Sequence, residues 1–141
     1  MLIFTGTKIL KNMKKLIFLF LSLTLFTACS SDDDDNSLDG PDPILGTWLM
    51  VSATGPFQDQ FCLNQQNTLT FNANNSGSAT FYLTQAQCAP SNSSGNWTNR
   101  GNSNYTITVP VIGELQGSAN FVSANRFTFT TNGGVLTFQK Q

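Results

Sequence analysis

From Leu45 onward, apolar and polar side chains alternate with a period of two, the spacing of a strand with one buried face. The first alternating stretch is Leu45 to Val51. The second is Asn67 to Asn72, with Leu69 and Phe71 on one face. Ala73-Asn74-Asn75-Ser76-Gly77 follows; Asn and Gly tolerate positive φ, so it reads as a hairpin turn into a third strand, Ala79 to Thr84. A polar loop through Cys88 and Ser94 comes next, then a short strand at Gly95 to Thr98 and a turn at Asn99 to Asn102. Asn104 to Val109 is a further strand, and Leu115 to Val122 a weaker one. Arg126 to Thr130 and Val135 to Phe138 close the series around Asn132-Gly133-Gly134. No stretch carries a helical period. About eight short strands joined mainly by tight turns predict a small, all-β, antiparallel, up-and-down meander, and closure into a barrel removes its exposed edges.

The same parity sorts the aromatic residues. Trp48, Phe71, Phe81, Trp97, Tyr105, Phe127, Phe129 and Phe138 all fall on inward positions and are the candidate lining of the interior. An eight-stranded barrel is just wide enough to be filled by side chains or to hold one small ligand; strands this short favour the filled state. Phe57 and Phe61 lie in the long first connection, where they read as a lid over the open end or as its plug.

The chain before Ile44 has a different texture. Lys14 and Lys15 precede Leu16 to Phe26, an apolar run of about eleven residues, too short for the roughly 20 that a bilayer span needs. Thr27 and Ala28 are small, and Cys29 follows them. This order resembles a bacterial lipoprotein signal, in which the chain is cut before the cysteine and the cysteine is lipidated; the pattern prefers Leu where Phe26 stands. Residues 1–28 are therefore expected as a signal peptide, with Met13 as an alternative true start that leaves residues 1–12 untranslated. Residues 29–43, rich in Asp, Ser, Gly and Pro, are expected as an acidic flexible tether. Ser30, Ser31, Asp32, Asp33, Asp34 and Asp35 are similar to the short acidic run that directs Bacteroidota lipoproteins to the outer surface. The expected location is thus the outer membrane, held through lipid on Cys29 and displayed at the cell surface, with the periplasmic face as the alternative.

Charge narrows the partners. After the cut only Arg100, Arg126 and Lys140 face eight acids, a formal −5, and six of those acids lie between Asp32 and Asp42. From Ile44 onward Asp59 and Glu114 face the three bases, leaving +1. No basic patch exists for nucleic acid. The chain has no histidine, which removes Ser-His and Cys-His nucleophile pairs. Asp59 and Glu114 are isolated acids, so a carboxylate pair is not expected, nor is an enzyme. Cys62 and Cys88 remain once Cys29 is lipidated. An even pair in an exported chain reads as a disulfide, the alternative being two free thiols. Closing a loop of about 25 residues contributes roughly 3 kcal/mol. Two cysteines without histidine do not make a metal site, and no cofactor is expected.

Ile44-Leu45-Gly46-Thr47-Trp48 resembles the Gly-x-Trp opening of lipocalins. Cys62, the strand Thr68 to Asn72, Cys88, the strand Gly95 to Trp97 and the Phe-rich stretch Arg126 to Phe138 follow in the order seen in short lipocalin-like domains of Bacteroidota lipoproteins. The resemblance covers residues 44–141. It implies a single eight-stranded calycin-like barrel and a small apolar or amphipathic ligand held among the aromatic residues. One departure stands out: lipocalins place an arginine near the chain end against the first-strand tryptophan, and Val135 to Gln141 contains none. Lys140 is the nearest substitute, but as a penultimate residue it reads as a solvated end. Two functions stay open, a small-ligand binding module and a structural or interaction domain meeting a protein or glycan through its loops. The oligomeric state is not legible.

Overall fold

The computed structural model describes residues 40–141; Cys29 and the Ser30–Asp35 run lie outside the described residues. The described residues form eight strands: β1 (Gly46–Ala53), β2 (Thr68–Phe71), β3 (Ser76–Tyr82), β4 (Pro90–Asn99), β5 (Asn104–Val109), β6 (Gly113–Ser123), β7 (Arg126–Thr131) and β8 (Gly134–Lys140). Each pairs antiparallel with the next, and β1 pairs with β8, closing a barrel. Two single 3-10 turns, Gly55–Phe57 and Thr84–Ala86, lie in connections at one end, here called the upper end. The chain enters at the lower end.

The alternation of the sequence becomes the inside and outside of this barrel. All eight aromatics assigned to inward parity are buried, with Trp48, Phe127 and Phe129 wholly inaccessible. They fit because other inward positions are small. Ala79 stands opposite Ser93, and Gly77 opposite Gly95, on β3 and β4, while Gly117 and Ala119 occupy the inner side of β6. Large residues from β1, β7 and β8 fill the space left over these small ones, the interdigitation that a dense core requires.

Glycine has a second use. A Cβ on Gly95 would sit 2.0 Å from the Thr108 carbonyl oxygen, and one on Gly117 2.2 Å from that of Thr130. Both glycines let neighbouring backbones approach where the sheet curls tightly enough to close. Two bulges add to the curl. The register shifts between Met50 and Ser52 on β1 and between Phe121 and Ser123 on β6. The residues between them, Val51 and Val122, are 37% and 59% exposed, so these surface valines have a local backbone cause.

Strand boundaries differ from those expected, most of all in the second to fourth strands. Pro90 to Ser94, expected as loop, forms the first half of β4, paired residue for residue with Ser78 to Tyr82. Its inner side chains are serines and its outer ones serine and asparagine, so no hydrophobic alternation marks it; the ladder to β3 makes it a strand. The first hairpin turn is tighter than expected: Asn72 N donates to Ser76 O at 2.9 Å, and Asn75 takes φ 65°, leaving Ser76 and Gly77 within β3. The third strand stops at Tyr82, since Thr84–Ala86 turns away.

Gly95→Ala is expected to destabilise the domain by about 2 kcal/mol or more, because backbone must move to admit the methyl. Gly101→Ala, with φ +83° and nothing within 4 Å, should cost only about 1 kcal/mol of backbone strain. Chemical denaturation of the two variants checks the ordering; equal effects would remove the closure argument.

Candidate functional site

The upper end of the barrel is covered by the β1–β2 connection, residues 54–67. Within it, turns closed on the Phe57 carbonyl bring Phe57 and Phe61 inward: Gln60 N and Phe61 N donate to Phe57 O at 3.1 and 3.3 Å. Both rings are buried, and they stand 6.5 Å apart. Phe61 continues onto Phe81, ring centres 5.2 Å apart and tilted edge to face. The connection is stitched to the end of β3 by a Phe61–Leu83 bridge, by Cys62 N donating to Tyr82 O at 2.8 Å and by Thr84 N donating to Gln60 O at 3.0 Å. The Cys62–Cys88 disulfide is formed and joins this connection to the one after β3.

Asn67 holds the base of the cover. It is the one wholly buried polar side chain among the described residues. Its amide nitrogen donates to Cys62 O at 2.9 Å, and its Oδ1 accepts from Tyr82 N at 2.8 Å. Burying an amide is tolerable because both ends are satisfied; leaving either partner unpaired costs about 1–3 kcal/mol. Nothing in the sequence distinguishes Asn67 from the other asparagines, since its partners are backbone groups, which any residue supplies.

Clefts flank the cover on two sides. One, of about 220 Å³, is lined by Gln60, Leu83, Thr84, Gln85, Val111 and Ile112. The other, of about 390 Å³ and more open, is lined by Phe57, Glu114 to Gln116 and Thr131 to Gly133. Amides and hydroxyls mix with apolar groups in both.

Below the cover, the predicted lining residues touch one another. Phe127 stacks on Phe138 with ring centres 4.9 Å apart, and Trp48 meets Phe127 edge-on at 4.6 Å. Phe71 meets Trp97 edge-on at 5.8 Å, and Trp97 lies 6.2 Å from Tyr105. Phe129 is buried opposite Leu136. One polar group in this barrel wall lacks a partner: the Ser93 hydroxyl oxygen is buried and makes no hydrogen bond. Ser93 shares the inward parity of Trp97 on β4.

The lower end is locked by polar contacts that sequence reasoning did not anticipate. Asp42 falls in the stretch expected as tether, yet its carboxylate is bonded to the barrel. Tyr105 donates its phenol to Asp42 Oδ1 at 2.8 Å, Ile44 N donates to the same oxygen at 3.0 Å, and Asn99 Nδ2 donates to Oδ2 at 2.7 Å. Above this latch, Trp48 Nε1 donates to Ile44 O at 2.6 Å. Lys140 corrects another expectation. It is exposed but not a free end: β8 runs through it, Lys140 N donates to Asn125 O at 2.9 Å, and its ammonium lies 5.1 Å from the Trp48 ring centre. It therefore takes the cationic place left open by the missing arginine, a contact worth about 0.5–1 kcal/mol. Its even parity with Leu136 and Phe138 was the available signal.

A closed eight-strand antiparallel barrel opening on Gly46-Thr47-Trp48, with its indole capped by a terminal cation, defines the class. The chain belongs to the lipocalin-like domain family, which it matches over residues 44–138. In fold it is similar to a crystal structure of a lipocalin-like protein from Bacteroides uniformis, at 14% identity and TM-score 0.52, covering 71% of this chain and all of that one. It is also similar to a redesigned β-barrel, at 24% identity and TM-score 0.46, covering 70% of this chain and 92% of that one. No curated protein matches the chain.

Burial first, then the hydrogen bond to Asp42 and its negative charge, push the Tyr105 phenol far above its ordinary value. The folded state thus holds this proton more tightly than the unfolded chain, whose tyrosine titrates near pH 10. The stabilisation is complete below about pH 10 and is lost as pH rises beyond it. Unfolding midpoints measured from pH 7 to 11.5 should fall steeply above pH 10 in the native protein and less steeply in Tyr105→Phe. Parallel curves would remove Tyr105 from the account.

Proposed function

We propose that this chain is a lipid-anchored, surface-displayed binding module that takes a small apolar or amphipathic ligand at the upper end of its barrel. The observation that carries the reading is the cover itself. Phe57 and Phe61 close an interior lined by aromatic rings, with a 220 Å³ cleft at their edge. Ligand sites are typically apolar with a few convergent polar groups. Here the unpaired Ser93 hydroxyl is the polar group on the inner side, and Gln60, Thr84 and Gln85 stand at the rim. A ligand enters by displacing Phe61 from Phe81, its tail replacing one ring contact by another. A charged head stays at the rim, because a buried unpaired charge is expensive and no charged side chain lies inside to match it. The chemistry is recognition without turnover.

The anchor part of the proposal rests on the Cys29 motif and on the acidic run after it. From Cys29 to Asp42 the chain spans at most about 45 Å. The Asp42 latch joins that tether to the lower end of the barrel. Diacylation gives the two-chain affinity that holds a protein of this size on a bilayer.

A second reading has its own observation. The rings fill the interior in mutual contact, which suits a rigid interaction domain whose partners meet its outer surface. Tryptophan emission separates the two, because Trp48 and Trp97 are the only tryptophans and both face inward. Titration with a fatty acid or a hydrophobic dye should shift or quench their emission, and Phe61→Ala should change the affinity several-fold while the barrel stays folded. If no apolar probe perturbs either indole at high micromolar concentration, the interaction reading replaces the ligand reading.

Anchoring is checked on the native protein. Intact mass after detergent extraction should correspond to a chain beginning at Cys29 with added acyl mass. Replacing Asp32 to Asp35 by Asn should protect the domain from protease added to whole cells. A soluble product retaining residues 13–28 would sink the anchor; equal shaving of both forms would reduce the acidic run to a spacer.

A further inference from the structure

We infer that the outer face of β2, β3 and β4 is a binding site for a neutral oligosaccharide. This site lies on the opposite side of the barrel wall from the proposed ligand interior and does not depend on it. A groove of about 440 Å³ crosses the face, lined by the side chains of Thr68, Thr70, Ser78, Thr80, Asn92 and Ser94 with Ala79 and Ser93 beneath. The strand registers set these side chains in two cross-strand rows. Thr70, Ser78 and Ser94 make one, and Thr68, Thr80 and Asn92 the other.

The composition of the face is what selects the ligand. From Gln60 to Asn99 the chain carries no charged residue. Outer strand positions of small exported domains ordinarily carry lysine and glutamate, which keep sheets soluble and apart. Their exclusion across three adjacent strands leaves nothing to hold a charged ligand. A protein partner needs a buried aromatic or aliphatic anchor, and the groove lining offers none. What the groove offers is hydroxyls and a carboxamide, groups that both donate and accept. Sugar hydroxyls do the same, so each contact can form in either sense. Tyr82 shares the outward parity of Thr80 on β3 and lies opposite Pro90, giving a ring at one end of the groove for the C–H face of a sugar.

The groove is also ordered before anything binds. Thr47 Oγ1 and Thr70 Oγ1 are 3.0 Å apart, and Thr80 Oγ1 donates to Asn92 Oδ1 at 2.7 Å. Threonine is stiff at χ1, so little rotamer freedom is lost on binding. Neighbouring strands lie about 4.8 Å apart, close to the rise of one unit in an extended pyranose chain. A linear glycan laid across the strands therefore meets one hydroxyl of each row per sugar.

The test uses the mature domain and a panel of neutral hexasaccharides: cellohexaose, xylohexaose, mannohexaose and maltohexaose. Amide chemical shifts are followed at millimolar sugar, with hexagalacturonate as the acidic control. At least one neutral sugar should shift amides of β2, β3 and β4, and the acidic one should not. Thr70→Val with Thr80→Val keeps the β-branched shape and removes two hydroxyls; Asn92→Ala with Ser94→Ala alters the neighbouring strand. Each pair should weaken binding at least tenfold in a domain that remains folded, as its amide spectrum away from the face reports. The inference is overturned if no neutral sugar shifts the face, if hexagalacturonate binds as well, or if both folded variants bind like the native domain. Shifts confined to Trp48, Trp97 and Phe61 would overturn it too, while leaving the interior reading in place.

Discussion

The indole of Trp48 is the constraint on which the rest depends. It belongs to the first strand, yet it touches what arrives last: Phe127 edge-on at 4.6 Å and the Lys140 ammonium at 5.1 Å. A barrel is a sheet whose first and last strands must find each other across the whole chain. Here the β1–β8 ladder supplies the backbone part of that closure, pairing Trp48 with Lys140 and Met50 with Phe138. The side-chain part comes from Trp48, which fills the lower end and donates to Ile44 O beneath it. Because its N–H donates to the incoming chain, the cost of desolvating a wholly buried indole is offset. The Asp42 latch then fixes that same incoming segment from the other side. The lower end is thus closed by contacts that include both ends of the domain, which leaves the upper end as the place where a covering connection can move.

The division between legible and illegible follows from what sets each feature. Inward parity was legible because burial of Leu69, Phe71, Tyr105, Ile107, Phe127 and Phe129 is a local, period-two signal. The Cys62–Cys88 pairing was legible because only two cysteines lie in the barrel region. The first half of β4 was not, since Pro90 to Ser94 has serine inside and outside; only its ladder to β3 makes it a strand. Asn67 and Asp42 escaped for a related reason. Their partners, Tyr82 N, Cys62 O, Tyr105 and Asn99, are backbone or uncharged groups, and all but Cys62 O lie well away in sequence. The reach of Lys140 back to Trp48 required knowing that β8 extends to the chain's penultimate residue, which a pattern ending at Phe138 does not tell.

The candidate ligand residues pose a subtler problem. Parity says only that a side chain faces in, and the same aromatic set serves a packed core or a lined pocket. The structure shows ten such rings buried and in contact, so any ligand must compete with ring–ring packing. That competition is least unfavourable at Phe61. Its partner Phe81 is inside the barrel, but Phe61 itself sits on a connection, and loops are the parts of a fold that open at lowest free energy. The disulfide and Asn67 limit this opening to the segment before Cys62, which contains Phe57 and Phe61 and little else that is buried.

Inside and outside of the barrel wall are therefore specialised by the same alternation. Along β3, Ala79 and Phe81 face the rings while Ser78 and Thr80 face the groove. A strand of this kind cannot change one face without keeping the register of the other, because a one-residue slip exchanges them. The small inner residues opposite one another, Ala79 with Ser93 and Gly77 with Gly95, hold β3 and β4 in the one register that places hydroxyls together outside. Core packing thereby orders an uncharged outer surface that no strong local propensity would hold in place. That lateral face and the upper rim are the two surfaces on which the proposed recognition rests, of sugar hydroxyls on the one and of an apolar tail at the other.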